Sequence, residues 1–229
     1  MPFQLFRTSE SEKTAAVEKL ISASAPRPEF FLMVVLSVVV AVLGILIDNV
    51  PVVIGSMLIA PLLSPVLSFA LGVVIGDFSL IVRSGAILLR SLLFALIAGV
   101  FVSFLFGGLG APALLLASAE PSVAFLIISV VAGVAASFAF IKEQLSVTLP
   151  GIAIAVALIP PLAVTGTALA GLQMAIVSRA SLLFLVNMMG IIFGSMVVFA
   201  LANFHTKKDL TTREVKKEEK TLERENGKK

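Results

Sequence analysis

Six long apolar stretches dominate the chain, at 30–47, 50–76, 81–106, 122–141, 149–172 and 180–203. Each approaches the roughly 20 residues an α-helix needs to cross a hydrocarbon core of about 30 Å, so the pattern predicts six membrane-spanning helices. Ahead of them, Ser9 and Glu12 form a capping-box pattern, and Val17, Leu20 and Ile21 share one helical face. This predicts a short amphipathic helix over 9–24 lying at the membrane surface. Behind the sixth stretch the pattern vanishes. Beyond Thr212, a candidate helix cap, only Val215 and Leu222 are apolar, which predicts a mobile, solvated tail. The organisation expected is an N-terminal segment (1–29), three spans (30–106), a connection (107–121), three more spans (122–203) and a charged tail (204–229).

Composition places these stretches in lipid. The chain is 59% hydrophobic and 14% charged, with a mean hydropathy of +1.10, too little polar surface for a soluble domain. Its basic residues cluster in the two terminal segments, leaving only Arg83, Arg90, Lys142 and Arg179 between them. The positive-inside rule then predicts both termini in the cytoplasm and the Lys/Arg-free connection 107–121 outside, with Arg179 dissenting. Anionic lipid headgroups are the expected partner of the basic ends, and no aromatic surface accompanies them to bind nucleic acid. Cys, Trp and Tyr are absent, so disulfides, thiolate chemistry and the usual aromatic belt are excluded.

Two stretches break their own rule. "IGSMLIAPLLSPVLSF" (54–69) carries Pro61 and Pro65 near the middle of the second stretch, and "IAVALIPPLAVTGTAL" (154–169) carries Pro160 and Pro161 near the middle of the fifth. A proline lacks an N–H and frees carbonyls about one turn earlier, near Met57, Leu58, Val156 and Ala157. Lipid has no donor for them. The two sites also match in sequence. "IAPL" at 59–62 lies against "IPPL" at 159–162, "SVVVAVLG" (37–44) against "SVVAGVAA" (129–136), and "RSGAILLRS" from Arg83 against "SRASLLFLVN" from Ser178, with Arg90 opposite Asn187. Two tandem units of three spans must enter the membrane from opposite sides, which predicts an inverted repeat whose broken second and fifth spans face each other at the midplane.

The stretches "DNVPVVIGSMLIAPLLSPVLSFALGVVIGD" (48–77) and "GIAIAVALIPPLAVTGTAL" (151–169) resemble the most characteristic motifs of the prokaryotic membrane family called domain of unknown function 389. The resemblance covers roughly 30–203. It implies a membrane fold and the inner (plasma) membrane of a bacterium or archaeon, and no assigned activity. Many members carry a soluble domain ahead of the spans, where this sequence has about 29 residues.

The remaining polar residues are few. Asp48 and Asn49 join the first two stretches and fit an N-terminal cap, or else an access site for a cation. Asp77 ends the second stretch. Arg83 and Arg90, seven residues apart, mark one face of the third, Arg90 about 10 Å deeper. Arg90 either snorkels to headgroups or meets Asp77 or an anionic substrate. Ser56, Ser64, Ser68, Thr165 and Thr167 flank the prolines, where hydroxyls repair broken membrane helices and can also line a path. "GVVIG" (72–76) and "GIIFG" (190–194) are close-packing patterns. "VIGD" (74–77) lacks the first glycine of the intramembrane-protease aspartate motif, and His205 stands alone, so neither an enzyme nor a resident cofactor or metal is expected.

The expectation is an all-α membrane transporter or permease-like protein that moves a small solute or ion. The candidate binding residues are Ser56, Pro61, Ser64, Pro65, Arg90, Pro160, Pro161, Thr165 and Asn187, with Asp48 and Asp77 as candidates for ion or proton coupling. The alternatives are a non-transporting scaffold or sensor acting through its cytoplasmic tails, and a homo-oligomeric channel with its pore on the symmetry axis.

Overall fold

The computed structural model describes residues 9–106, 122–142, 148–204 and 208–226, the side chains of 148–156, 208, 209 and 226 excepted. The connection 107–121 and His205 lie outside the described residues. Among those described, the regular structure is α-helical throughout. The helices are α1 (Glu10–Ala23), α2 (Pro28–Leu46), α3 (Val50–Met57), α4 (Leu63–Ile75), α5 (Phe78–Phe106), α6 (Val123–Ile141), α7 (Thr148–Ala170), α8 (Met174–Leu201) and α9 (Lys208–Asn226). Four of them, α2, α5, α6 and α8, are long and apolar enough to cross a membrane, and the protein is accordingly a membrane protein. Their large exposed side chains, such as Leu36, Ile97, Ile127 and Phe193, form the outer apolar surface.

The second stretch is interrupted as the prolines predict: α3 ends at Met57 and α4 begins at Leu63. The fifth is not. Pro160 and Pro161 lie inside a continuous α7, which corrects the expectation of two proline-broken spans. Packing explains the difference. α7 is the hub of the bundle, touching α2, α3, α4, α5, α6 and α8. Its Leu158, Ile159, Leu162, Ala163 and Val164 are buried on every side, as expected of a helix apolar all round. An interior proline costs about 3 kcal/mol or more, and contacts on all faces offset that cost. α3 lies at the periphery, with Ile54 and Leu58 exposed, and has less packing to hold a helix through Pro61.

Small residues set the tightest crossings. Gly99 on α5 meets Gly166 on α7, where a Cβ added to Gly166 would lie 3.0 Å from the Gly99 Cα. Next to this crossing, Ser103 Oγ donates to Thr167 Oγ1 at 3.0 Å. A Cβ on Gly133 would meet the Ile191 carbonyl oxygen, and one on Gly194 that of Val130, so α6 and α8 touch backbone to backbone. The "GIIFG" pattern is thus a contact within one chain.

The capping box of α1 forms, with the Glu12 N–H donating to Ser9 Oγ at 3.1 Å and the Ser9 N–H to Glu12 Oε2 at 2.7 Å. Its apolar stripe, however, faces protein and not a lipid surface. Val17, Leu20 and Ile21 are buried with Leu67 and Leu71 of α4, Phe140 of α6 and Phe199 of α8. Ser24 Oγ and Ser68 Oγ share a hydrogen bond of 2.9 Å. The tail is likewise a docked helix, α9, with Val215 buried in the same cluster. Thr212 lies within it and not at its start, and its hydroxyl donates to Asp77 Oδ2 at 3.1 Å. Arg27 and Glu218 form an ion pair at 3.2 Å. The two terminal helices therefore meet at one end of the bundle.

Candidate functional site

The interruption between α3 and α4 can be built residue by residue. Asn49 caps α3, its Oδ1 accepting from the Val52 N–H at 3.1 Å, so the structural reading of that residue holds. Asp48 is exposed in the left-handed region, φ 51°, where the chain turns from α2. At the other end α3 tightens, the Leu58 and Ile59 N–H groups bonding to the Gly55 and Ser56 carbonyls at 3.2 and 3.1 Å. The next backbone bond runs from the Val66 N–H to the Leu62 carbonyl at 3.4 Å. In the gap, Pro61 has no N–H for the Met57 carbonyl, and Pro65 has none for that of Pro61. The N–H groups of Ala60, Leu62, Leu63 and Ser64 make no hydrogen bond among the described residues. One half-helix thus ends in free carbonyls and the next begins in free N–H groups, with opposite partial charges.

Neighbouring side chains satisfy only the start of this gap. Ser37 Oγ on α2 donates to the Ser56 carbonyl at 2.7 Å, and Ser56 Oγ to that of Val53 at 2.6 Å. Met57, Leu62 and Pro65 are buried, Met57 and Leu62 in the core cluster that holds Ile159 and Leu162 of α7, so the interruption rests on the proline turn. Its other side is open. Leu58 is 61% exposed, Ala60, Pro61 and Ser64 are half-buried, and nothing lies within 4 Å of a Cβ on Gly55.

On α7 the repair is more complete. Pro161 cannot return the hydrogen bond of the Ala157 carbonyl, and Asn187 Nδ2 on α8 donates to that oxygen at 2.8 Å. Thr165 Oγ1 donates back to the Pro161 carbonyl at 2.7 Å and Thr167 Oγ1 to that of Ala163 at 3.0 Å. Asn187 is 1% exposed, and its Oδ1 is buried without a partner among the described residues. A polar acceptor is thereby left next to the proline pair, deep in the bundle.

The structure gathers Ser56, Pro61 and Pro65 at the interruption and Pro160, Pro161, Thr165 and Asn187 on and beside α7. The charged candidates stand elsewhere. Asp77 is buried at the start of α5, its Oδ1 accepting from the Leu80 N–H at 3.2 Å and its Oδ2 from Thr212. Arg90 is exposed on the outer face of α5. Two residues escaped sequence reasoning as participants. Ser37 served only to mark a repeat. Ser91, also buried, lies 15 residues after Gly76, as Asn187 lies 15 after Leu172, and both of those turn residues take a left-handed φ, 66° and 54°. Ser91 and Asn187 thus share one spacing from a left-handed turn residue. No group of three or more metal-ligating side chains occurs among the described residues.

The family described as "Domain of unknown function (DUF389)" matches residues 57–193, which include the interruption, the proline pair and Asn187. An uncharacterized protein of Methanocaldococcus jannaschii, an archaeon, is 34% identical over 175 residues, 75% of this chain and 53% of that protein. The chain thus spans about half the length of the curated relative it matches. No solved structure matches.

Proposed function

Because the chain belongs to the DUF389 family, whose description assigns no activity, we propose its function from the geometry: it moves a small solute or ion across the membrane at the α3–α4 interruption. The observation that carries this is the group of unbonded N–H donors at Ala60, Leu62, Leu63 and Ser64, facing a Met57 carbonyl that Pro61 cannot serve, in the middle of an apolar stretch. In hydrocarbon, each such group costs several kcal/mol, and non-helical backbone is tolerated only where protein or water covers it. Half-helix ends of this kind bind solutes and ions in membrane transporters.

Several features support six crossings arranged as an inverted repeat. α2 and α6 are each 19 residues long, and α5 and α8 are 29 and 28. Packing of α5 on α7 has a counterpart in α4 on α8. Arg83 and Arg179 both follow the left-handed turn residue by seven positions. In this arrangement Arg179 marks the outer edge of the second unit, which accounts for its dissent from the charge rule. A channel between subunits is the second reading, favoured by the exposure of Ile54 and Leu58 beside the interruption.

The chain's lack of cysteine allows a direct test. Single Ala60→Cys and Leu58→Cys variants in vesicles are expected to react with a membrane-impermeant thiol reagent, as an Asn49→Cys surface control does. Reaction at the control alone would place the interruption in lipid or dry protein and end the proposal. In liposomes screened over anions, cations and amino acids, Pro61→Ala is expected to abolish flux while the protein still assembles.

A further inference from the structure

A groove lies on the outer face of α5, apart from the interruption. Arg83 and Arg90 lie seven residues apart, nearly two full turns, on one side of that helix. Together with Phe78, Val82, Ile87 and Glu219 of α9 they line a groove of about 460 Å³ at the end of the bundle where the terminal helices dock. Arg83 is anchored there, Nη1 donating to the Val215 carbonyl at 3.4 Å. Its Nη2 is buried and has no partner among the described residues. Arg90 is exposed and forms no ion pair among the described residues. Beyond Arg90 the same helical face continues as exposed Phe94, Ile97 and Phe101.

We propose that this groove binds the phosphate of an anionic lipid headgroup, held by Arg83 and Arg90, with the acyl chains lying along Phe94, Ile97 and Phe101. Guanidinium and phosphate match as a fork of parallel charge-assisted hydrogen bonds. The stem of Arg90 lies on apolar surface and its head reaches the headgroup level, the usual placement of an arginine near a membrane edge. Free phosphate would use the same two arginines and would leave the apolar rail unused; the rail is what selects a lipid. The carboxylate of Glu219, on the opposite wall, opposes the ligand, and its removal strengthens binding.

The absence of tryptophan provides a clean reporter. Phe78 is largely exposed at the groove, so a single Phe78→Trp placed in the full chain reports on nearby lipid. Phosphatidylcholine vesicles containing brominated phosphatidylglycerol are expected to quench it at about ten-fold lower mole fraction than vesicles containing brominated phosphatidylcholine. Arg90→Gln, at an exposed position, lowers this preference about five-fold, the effect of one basic residue at an anionic surface. Arg83→Gln together with Arg90→Gln abolishes it, and Glu219→Gln raises it. Equal quenching by the two lipids, or a preference unmoved by Arg90→Gln, overturns the site. A change in tryptophan emission with millimolar inorganic phosphate in detergent, together with equal lipid quenching, overturns the lipid as source and leaves a free-phosphate site.

Discussion

Asn187 is a buried polar tie between two apolar helices. Its amide replaces the N–H that Pro161 lacks, and so ties α8 to the hub helix at its weakest backbone point. Substitution by leucine keeps the branched shape and removes the donor, leaving the Ala157 carbonyl without the Asn187 amide in a dry interior. Asn187→Leu is expected to cost about 1–2 kcal/mol, read as a lower midpoint of thermal unfolding in detergent. An unchanged midpoint would mean that the Ala157 carbonyl finds another donor. That a polar residue stands opposite the prolines was legible in the sequence, since Asn187 is isolated in an apolar stretch. Its partner was not, because the bond spans two helices. Ser91 follows Gly76 by 15 positions as Asn187 follows Leu172, a likeness of spacing carried by two left-handed turn residues.

At the scale of elements, the same proline chemistry has two outcomes. α7, enclosed by neighbours, remains helical through Pro160 and Pro161, whereas the peripheral second stretch opens between Met57 and Leu63. Local sequence sets the strain in both places, and the contacts around each element decide whether it breaks. Packing also gives the glycines their roles. At the α6–α8 crossing, Gly133 and Gly194 each lie against a backbone carbonyl of the other helix. Gly194→Ala forces the helices apart and is expected to destabilise by about 1–3 kcal/mol, measured by thermal unfolding. Gly55→Ala, at a position with open space around it, should unfold at or slightly above the wild-type temperature. If the two variants melt alike, the crossing is looser than its geometry.

Across the whole molecule, the terminal helices act as fittings on one end of the bundle. α1 is held by its apolar stripe, by Lys19 over the Phe140 ring at 5.3 Å, and by Glu12 paired to Lys142 at 3.2 Å. The Ser9 N–H that bonds Glu12, and after it the Lys142 ammonium, hold the Glu12 carboxyl below the ordinary carboxylate range. A carboxyl whose folded pKa is lowered contributes stability that is complete above its unfolded value and is lost as pH falls through the folded one. Hydrogen exchange of the α1 amides, corrected for intrinsic rates, should therefore rise as pH drops from neutral to about pH 3. Glu12→Gln should exchange faster at neutral pH and lose most of that dependence. Protection that is equal in the two proteins at both pH values would show that the apolar stripe alone holds α1.

Sequence alone determined the solvent, the class and the local chemistry of this protein. Apolar runs of spanning length favour helices in lipid, since a helix satisfies most of its backbone groups within its own segment. Capping at Ser9–Glu12 and Asn49 and the strain at the prolines are equally local, set by residues a few positions apart. Tertiary structure decided what depends on neighbours distant in the chain. It left the second apolar stretch open and kept the fifth closed, because burial on all sides offsets a proline and burial on one side does not. It sent Asn187 inward and Arg90 outward, because the face a helix presents to the bundle is set by the helices packed on it. It also gave the polar tail a fold, through Val215, Thr212 and Glu218, whose partners lie far away in sequence, in the apolar cluster and just ahead of α5 and α2.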